Sequence, residues 1–183
     1  MTKLILYMLA LMMLASPVFA ASAELSIADV SGATGSNVEI PINLKSNVGI
    51  GSIDVVVSYD GTILQLESVD KGSLSGNSMI DYNTKSSGSV AIAMADSAGL
   101  KGDGSVALLK FKVLGKEGDT SIVKIESSSA NEAATLVDVR LVTTAGNFSV
   151  TGGTGMIGII AVAALVILVI IVLVIKRKGS KPK

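Results

Sequence analysis

Apolar and polar residues alternate along most of the chain between residues 24 and 150. From Ile53 to Tyr59 every second residue is apolar, so these side chains share one face of an extended strand. The opposite face carries Ser52, Asp54, Val56 and Ser58. Gly, Asn, Asp and Ser clusters separate similar runs, as they do between strands. The pattern predicts strands at 25–30, 38–44, 53–59, 63–69, 79–82, 90–94, 106–113, 122–126, 136–143 and 147–150.

Helical periodicity is absent from this part of the sequence. Residues 127–136 are the only helix-tolerant piece, and we interpret them as a loop or a single helical turn. Pro41 has no N–H to donate, so its strand should lie at a sheet edge or carry a bulge. About nine strands separated by regular turns predict an all-β domain, a two-sheet sandwich over residues 24–150.

The first 23 residues have the pattern of a secretory signal. Lys3 precedes an apolar run at 4–14 that is too short to span a bilayer, and small residues suited to a peptidase follow. Cleavage is expected after Ala23, with Ala20 as the alternative site. The other interpretation of this segment is an uncleaved membrane anchor.

Residues 156–175 are 20 apolar residues without a charge. A helix of that length reaches about 30 Å, the thickness of the hydrocarbon core. A short Gly/Thr linker at 151–155 precedes it and a basic tail at 176–183 follows, which favours a cytoplasmic C-terminus. We therefore expect a single-pass plasma-membrane protein with an extracellular N-terminal domain.

The balanced charge of the whole chain hides an asymmetry. All 15 acidic residues and nine of the basic residues lie in residues 24–150, which gives this segment a formal charge of −6. Such a surface argues against nucleic acid or anionic lipid headgroups as partners.

The composition also limits the catalytic chemistry. The chain has no His and no Cys, which excludes an imidazole base, a Ser-His-Asp triad and a zinc–thiolate site. Paired carboxylates can hydrolyse glycosides, but such sites grip sugars with aromatic side chains. This domain has no Trp, and its aromatic residues are Tyr59, Tyr82, Phe111 and Phe148. We therefore expect neither an enzyme nor a direct sugar-binding module.

Two smaller motifs leave alternatives open. Asp96 and Asp103 lie at the two ends of a Gly/Asp-rich stretch whose oxygens would suit calcium. The EF-hand spacing is missing, however, and a simple turn explains the same composition. No other cofactor is expected. The triplet that begins at Asn147 matches an N-glycosylation sequon, and chance occurrence in a terminal strand is the alternative.

Several stretches occur in a recognisable order: SIADVSGATGSNVEIPINL, GIGSIDVVVSYDGTILQLESV, AMADSAG and GDGSVALLKFKV. The segment 24–150 resembles cohesin domains, the modules that bind dockerin domains in cellulosomes and that also occur singly in archaea and bacteria. The resemblance implies a nine-stranded flattened sandwich with jelly-roll topology. It also implies protein binding through one face of a sheet.

The resemblance also suggests partner-binding residues. Cohesins contact dockerin through an outward Asn and an outward Asp on the third strand, and Asp54 matches the Asp. Ser52 stands in place of the Asn, and Ala95 lies near the position of an acidic contact residue on a later strand. With Ala93, these four residues are the predicted binding site. The alternative is that Asp54 is only a solvated strand residue that prevents aggregation.

Two functions remain for this surface domain. The first is docking of a dockerin-bearing partner, which would belong to extracellular polysaccharide degradation if that partner is a polysaccharide-degrading enzyme. The second is a structural or adhesive envelope protein that reuses the fold for homotypic or surface-layer contacts.

Overall fold

The computed structural model describes residues 22–152, except for the side chain of Lys85. The predicted membrane span at 156–175, the basic tail at 176–183, most of the linker and all but two residues of the predicted signal lie outside this range. Within it, no helix is long and apolar enough to cross a membrane. The strands are β1 (Ser22–Ile27), β2 (Val30–Ala33), β3 (Asn37–Ser58), β4 (Leu64–Lys71), β5 (Met79–Ser86), β6 (Ser89–Val113), β7 (Thr120–Glu132), β8 (Arg140–Thr144) and β9 (Gly146–Thr151).

Two long strands, β3 and β6, pass from one sheet of the sandwich to the other. The first half of β3 and the second half of β6 pair with each other, β1 and β8 extend the sheet beyond β3, and β4 extends it beyond β6. We call this the five-stranded sheet. The second half of β3 and the first half of β6 pair between β7 and β5, and we call these four strands the four-stranded sheet. The start of β7 pairs with β9, and β9 pairs with β2. The predicted all-β sandwich is therefore confirmed.

Glycines stand where β3 and β6 cross between the sheets. The β3–β6 register is irregular between Ser46 and Ser52. Gly99 has a φ of 83°, and a Cβ placed on it would lie 2.9 Å from the Cα of Gly49. A side chain at Gly99 would thus be strained and would collide with backbone. These residues permit one strand to serve both sheets.

The core lies between the sheets and follows the predicted alternation. Val57, Ile92, Ile42 and Leu109 come from different sheets and are all nearly or fully buried in one cluster. Phe111 is fully buried and meets Tyr59 edge to face, with the ring centroids 4.8 Å apart and the planes at 70°. The register of the central strands is therefore fixed by apolar burial, because a one-residue slip would turn the core outward.

Several predicted boundaries are wrong. Segments 38–44 and 53–59 belong to one strand, β3, and segments 90–94 and 106–113 belong to β6. Residues 127–132 continue β7 and are not a loop. Only the end of the predicted strand 136–143 is extended, because Leu136 has a φ of 59° and β8 begins at Arg140.

Pro41 lies within β3, next to an irregularity in its pairing with β6 between Ile42 and Asn43. Its carbonyl accepts a hydrogen bond from the Ala28 N–H at 3.4 Å, so this edge of Pro41 faces the chain just after β1. Because the N and C=O of one strand residue point the same way, the missing N–H removes no bond to β6. The expected bulge lies beside the proline.

Candidate functional site

The outward residues of the four-stranded sheet form three rows, each crossing β5, β6, β3 and β7 in that order. The first row is Met79, Ala95, Ser52 and Asn131. The middle row is Asp81, Ala93, Asp54 and Ser129. The third row is Asn83, Ala91, Val56 and Ser127. We call this surface the outer face, and it contains all four predicted site residues.

The core side of the same strands fixes these side chains in place. Val55, Val57 and Ile92 are buried beneath the outer face. Because successive strand residues point to opposite sides, their neighbours Asp54, Val56 and Ala93 must point outward. The sequence analysis predicted this orientation correctly for β3 and for β6.

Two carboxylates flank a small residue in the middle row. Asp54 on β3 and Asp81 on β5 are both register partners of Ala93 on β6. Neighbouring strands lie about 4.8 Å apart, so the two backbones are about 10 Å apart. The side chains line a shallow depression of about 380 Å³ whose walls also include Val56 and Asn83.

The two carboxylates differ in their hydrogen bonds. The Asp54 carboxylate is exposed, and no described residue donates a hydrogen bond to it or forms an ion pair with it. One carboxylate oxygen of Asp81 accepts the N–H of Tyr82 at 2.9 Å. Sequence reasoning identified Asp54 and missed Asp81, although the alternation in 79–82 already placed Asp81 on the same side as Met79.

The first row contains an amide that sequence reasoning missed. The Ser52 hydroxyl donates to Asn131 Oδ1 at 3.2 Å. Asn131 Nδ2 in turn donates to Asp138 Oδ1 at 2.8 Å and to the Leu136 carbonyl at 3.3 Å. Asn131 was missed because residues 127–136 were interpreted as a loop. The Ser52 position thus has a carboxamide beside it, supplied by the adjacent strand β7.

Near Ser58, beyond the third row, lies a polar cluster. The Ser58 hydroxyl donates to Glu126 Oε1 at 2.8 Å, and Lys124 Nζ lies 3.0 Å from the same oxygen. The hydrogen bond from Ser58, followed by that from Lys124, lowers the pKa of Glu126 below its ordinary value. Glu126 is thereby held as a charged group beside the outer face.

Asp96 is committed to local hydrogen bonds. Its carboxylate accepts the Ser78 hydroxyl at 2.6 Å and the N–H groups of Ala98 and Gly99 at 2.9 and 3.0 Å. The Ser78 bond is the largest cause that lowers the pKa of Asp96. Asp103 pairs in register with Lys45 in the five-stranded sheet instead. Among residues 22–152, no cluster of three or more acidic side chains is arranged to hold a metal, and calcium binding stays a prediction.

Comparison with known proteins agrees with this architecture. The family model described as Cohesin domain matches residues 23–150. The comparison with curated proteins gives no match.

Solved structures extend the comparison. A non-cellulosomal cohesin from the hyperthermophilic archaeon Archaeoglobus fulgidus is 25% identical, with a TM-score of 0.66 over 73% of this chain and 94% of that chain. The sixth cohesin of Acetivibrio cellulolyticus scaffoldin B, solved in complex with a mutant Cel5 dockerin, is 29% identical, with a TM-score of 0.64 over 70% of this chain and 99% of that chain. The jelly-roll sandwich implied by the sequence matches these folds. The family model covers well over half of this chain, and the chain therefore belongs to the cohesin domain family.

Proposed function

We propose that the chain is a protein-binding module displayed outside the plasma membrane, and that it docks a dockerin-type partner through the outer face. The observation that carries this proposal is Asp54. It lies exposed in the middle row, and no described residue donates a hydrogen bond to its carboxylate. The resemblance to cohesins matches it to their contact Asp. The complex of the Acetivibrio cellulolyticus cohesin with a dockerin supports the choice of partner.

The shape of the outer face suits a protein partner better than a small molecule. Ala91, Ala93 and Ala95 give the centre of the sheet short side chains, and the depression above them is shallow. Small-molecule sites are usually concave and bury most of their ligand. A broad, modestly polar surface is instead typical of protein–protein recognition.

The role of Asp54 follows from hydration. An exposed carboxylate is solvated in the folded and the unfolded protein, so it contributes little to stability. When a partner covers it, water is removed and the carboxylate must accept hydrogen bonds from the partner. Loss of one member of such a pair typically costs about 2–5 kcal/mol of binding.

Display at the membrane is proposed from the termini. The described domain ends with β9 (Gly146–Thr151), immediately before the predicted linker and span. Five linker residues reach at most about 18 Å, which would hold the domain close to the bilayer. Protease added to whole cells should remove epitopes of 24–150 and spare the tail at 176–183. Protection of the domain would contradict this topology.

The binding proposal is tested with the full chain as bait for envelope proteins of its own source cells. The parent chain should capture a dockerin-bearing protein. Asp54→Ala should weaken that complex at least tenfold, a loss of about 1.4 kcal/mol or more, and Ala93→Arg should obstruct it. Glu67→Ala, on β4 of the five-stranded sheet, is the matched control and should bind normally.

Two outcomes would overturn parts of the proposal, and a third would extend it. Capture of only a second copy or of a surface-layer protein would favour the structural envelope role. Unchanged binding by both Asp54→Ala and Ala93→Arg would place the partner elsewhere on the domain. If the captured partner is an enzyme with a polysaccharide substrate, the role in polysaccharide degradation follows.

A further inference from the structure

The N-glycosylation triplet lies at the start of β9. It consists of Asn147, Phe148 and Ser149, and no other asparagine of the chain opens such a triplet. Phe148 is fully buried, so the residues on either side of it point away from the core. Asn147 and Ser149 are both exposed. The folded domain therefore presents the carboxamide and the hydroxyl of the triplet together on one surface.

The Asn147 carboxamide is not engaged in the described fold. The backbone N–H of Asn147 donates to Asp29 Oδ1 at 2.7 Å, whereas in residues 22–152 neither its carboxamide nor the Ser149 hydroxyl makes a hydrogen bond. Asn131 is the opposite case, since its carboxamide is hydrogen-bonded to two other side chains. A sugar on the Asn147 amide would thus break no hydrogen bond of the described domain.

A large apolar side chain lies beside Asn147. Ile122 on β7 is its register partner and is 62% exposed. The next outward residues of β7 on either side, Thr120 and Lys124, are polar and exposed. Strand preference alone does not require Ile at this position, because Thr is also favoured in strands. The Cβ atoms of cross-strand partners are about 5 Å apart, so the Ile122 side chain is within reach of a group bonded to the Asn147 amide.

We propose that Asn147 carries an N-linked glycan and that its first sugar covers Ile122. The donor is a sugar activated as an anomeric phosphate ester of a membrane lipid. The Asn147 amide nitrogen bonds to the anomeric carbon and loses a proton to a base of the transferring enzyme, while the bond from that carbon to the phosphate oxygen breaks and the lipid phosphate leaves with the electron pair. One face of a sugar ring consists largely of C–H groups, so its contact with Ile122 removes apolar surface from water.

The position of Asn147 keeps this glycan apart from the outer face. Ile122 and Ser127, the member of the third row on β7, are about 17 Å apart along the strand. From Asn147, β9 runs away from that row to Thr151, where the predicted linker begins. The glycan thus lies between the outer face and the end of the domain that is proposed to face the membrane. The inference rests on the proposed export and is independent of the docking partner.

Mass spectrometry of the full chain, exported by its own source cells and purified in detergent, tests the attachment. The parent should carry a saccharide mass, and fragmentation should locate it at Asn147. Asn147→Gln and Ser149→Ala should both lose this mass, whereas Ser149→Thr should keep it because it retains the hydroxyl that the triplet requires. Asn37→Gln changes an exposed asparagine outside the triplet, and this matched control should keep the mass.

A second measurement tests the contact with Ile122. Brief proteolysis of the full chain at increasing urea concentrations gives its unfolding midpoint. The glycosylated parent should have a midpoint about 0.3 M or more above that of Asn147→Gln. In an Ile122→Thr background this difference should fall by about half or more, because Thr keeps a branched strand side chain but removes apolar surface. Val142→Thr makes a similar change at a 52% exposed position of β8 and should leave the difference intact.

An exported chain with no saccharide at Asn147 would overturn the inference and leave the proposed topology intact. Equal midpoints for the parent and Asn147→Gln, or a difference that survives Ile122→Thr, would refute the contact with Ile122. Asn147→Gln should also capture the natural partner as well as the parent does. Loss of that capture would contradict the separation of the glycan from the outer face.

Discussion

Replacing Val57 with Asp should unfold the domain, whereas the same change at the adjacent Val56 should be tolerated. Val57 is fully buried and pairs with Val90 on β6 and Ile125 on β7. Val56 is half-buried on the outer face, and its partners are Ala91 and Ser127. The two variants have the same composition and differ only in which side of β3 receives the carboxylate.

The magnitude follows from burial. Removing a buried Val side chain forfeits about 1.5–3 kcal/mol of apolar transfer free energy. An unpaired charge in the interior adds several kcal/mol, because Val57 lies within a buried apolar cluster. The total, at least about 5 kcal/mol, reaches the lower end of the whole stability of a typical domain, about 5–15 kcal/mol. Val56→Asp exchanges one surface group for another and should change stability by about 0.5 kcal/mol or less.

Urea unfolding of residues 22–152 at neutral pH, followed by circular dichroism, measures both effects. With a slope of about 1–3 kcal/mol per molar urea, the Val57→Asp midpoint should fall by roughly 2 M or more, or the variant should already be unfolded without urea. Val56→Asp should unfold within about 0.5 M of the parent. Similar midpoints for the two variants would show that the assigned facing of β3 is wrong.

Three further predictions concern the core, acid stability and export. Phe111→Ala should lower the free energy of unfolding, measured with urea, by about 3–5 kcal/mol, because it deletes a fully buried ring in edge contact with the Tyr59 ring. A loss below about 1 kcal/mol would contradict that packing. The pKa of Asp96 is lowered in the folded state, so its stabilising contribution is present above the unfolded-state pKa and is lost as the pH falls through the folded-state pKa. Ser78→Ala should reduce that loss in urea midpoints taken from about pH 5 to pH 2, and an unaltered acid profile would contradict it. The sequence pattern favours signal cleavage after Ala23, but the structure shifts the prediction to the alternative site after Ala20, because Ala23 is a 4% exposed core residue that pairs with both β3 and β8. N-terminal sequencing of the mature protein checks this, and a chain beginning at Glu24 would refute it.

The sequence was sufficient to predict the faces of the central strands. In Ile53–Ser58 of β3 and Ser89–Ala95 of β6 the buried and outward residues alternate strictly, so the outward orientation of Asp54 and Ala93 follows from the sequence. Strand ends were harder to predict. Residues 127–131 are mostly small and polar because one face of β7 meets solvent, and this composition resembles a loop.

The missed parts of the candidate site depend on contacts between distant segments. Asn131 becomes part of it through hydrogen bonds to Ser52 and Asp138, which single-strand periodicity does not reveal. The exposure of Leu136 results from a left-handed backbone conformation, whereas its apolar character favoured a buried strand. Asp81 shares a face with Met79 in the alternation of 79–82, but its place beside Ala93 depends on the pairing of β5 with β6, which periodicity does not reveal.

The passage of β3 and β6 through both sheets has a consequence for the order of folding. Their pairing begins with Ser58 and Ser89 and ends with Asn37 and Lys112, and the intervening chain contains β4 and β5. Contacts between residues so distant in sequence make folding slow, because the entropy of closing the loop is lost before the contacts form. Since each long strand contributes to both sheets, neither sheet can assemble without the other. The domain should therefore acquire its outer face and its opposite face in a single cooperative step.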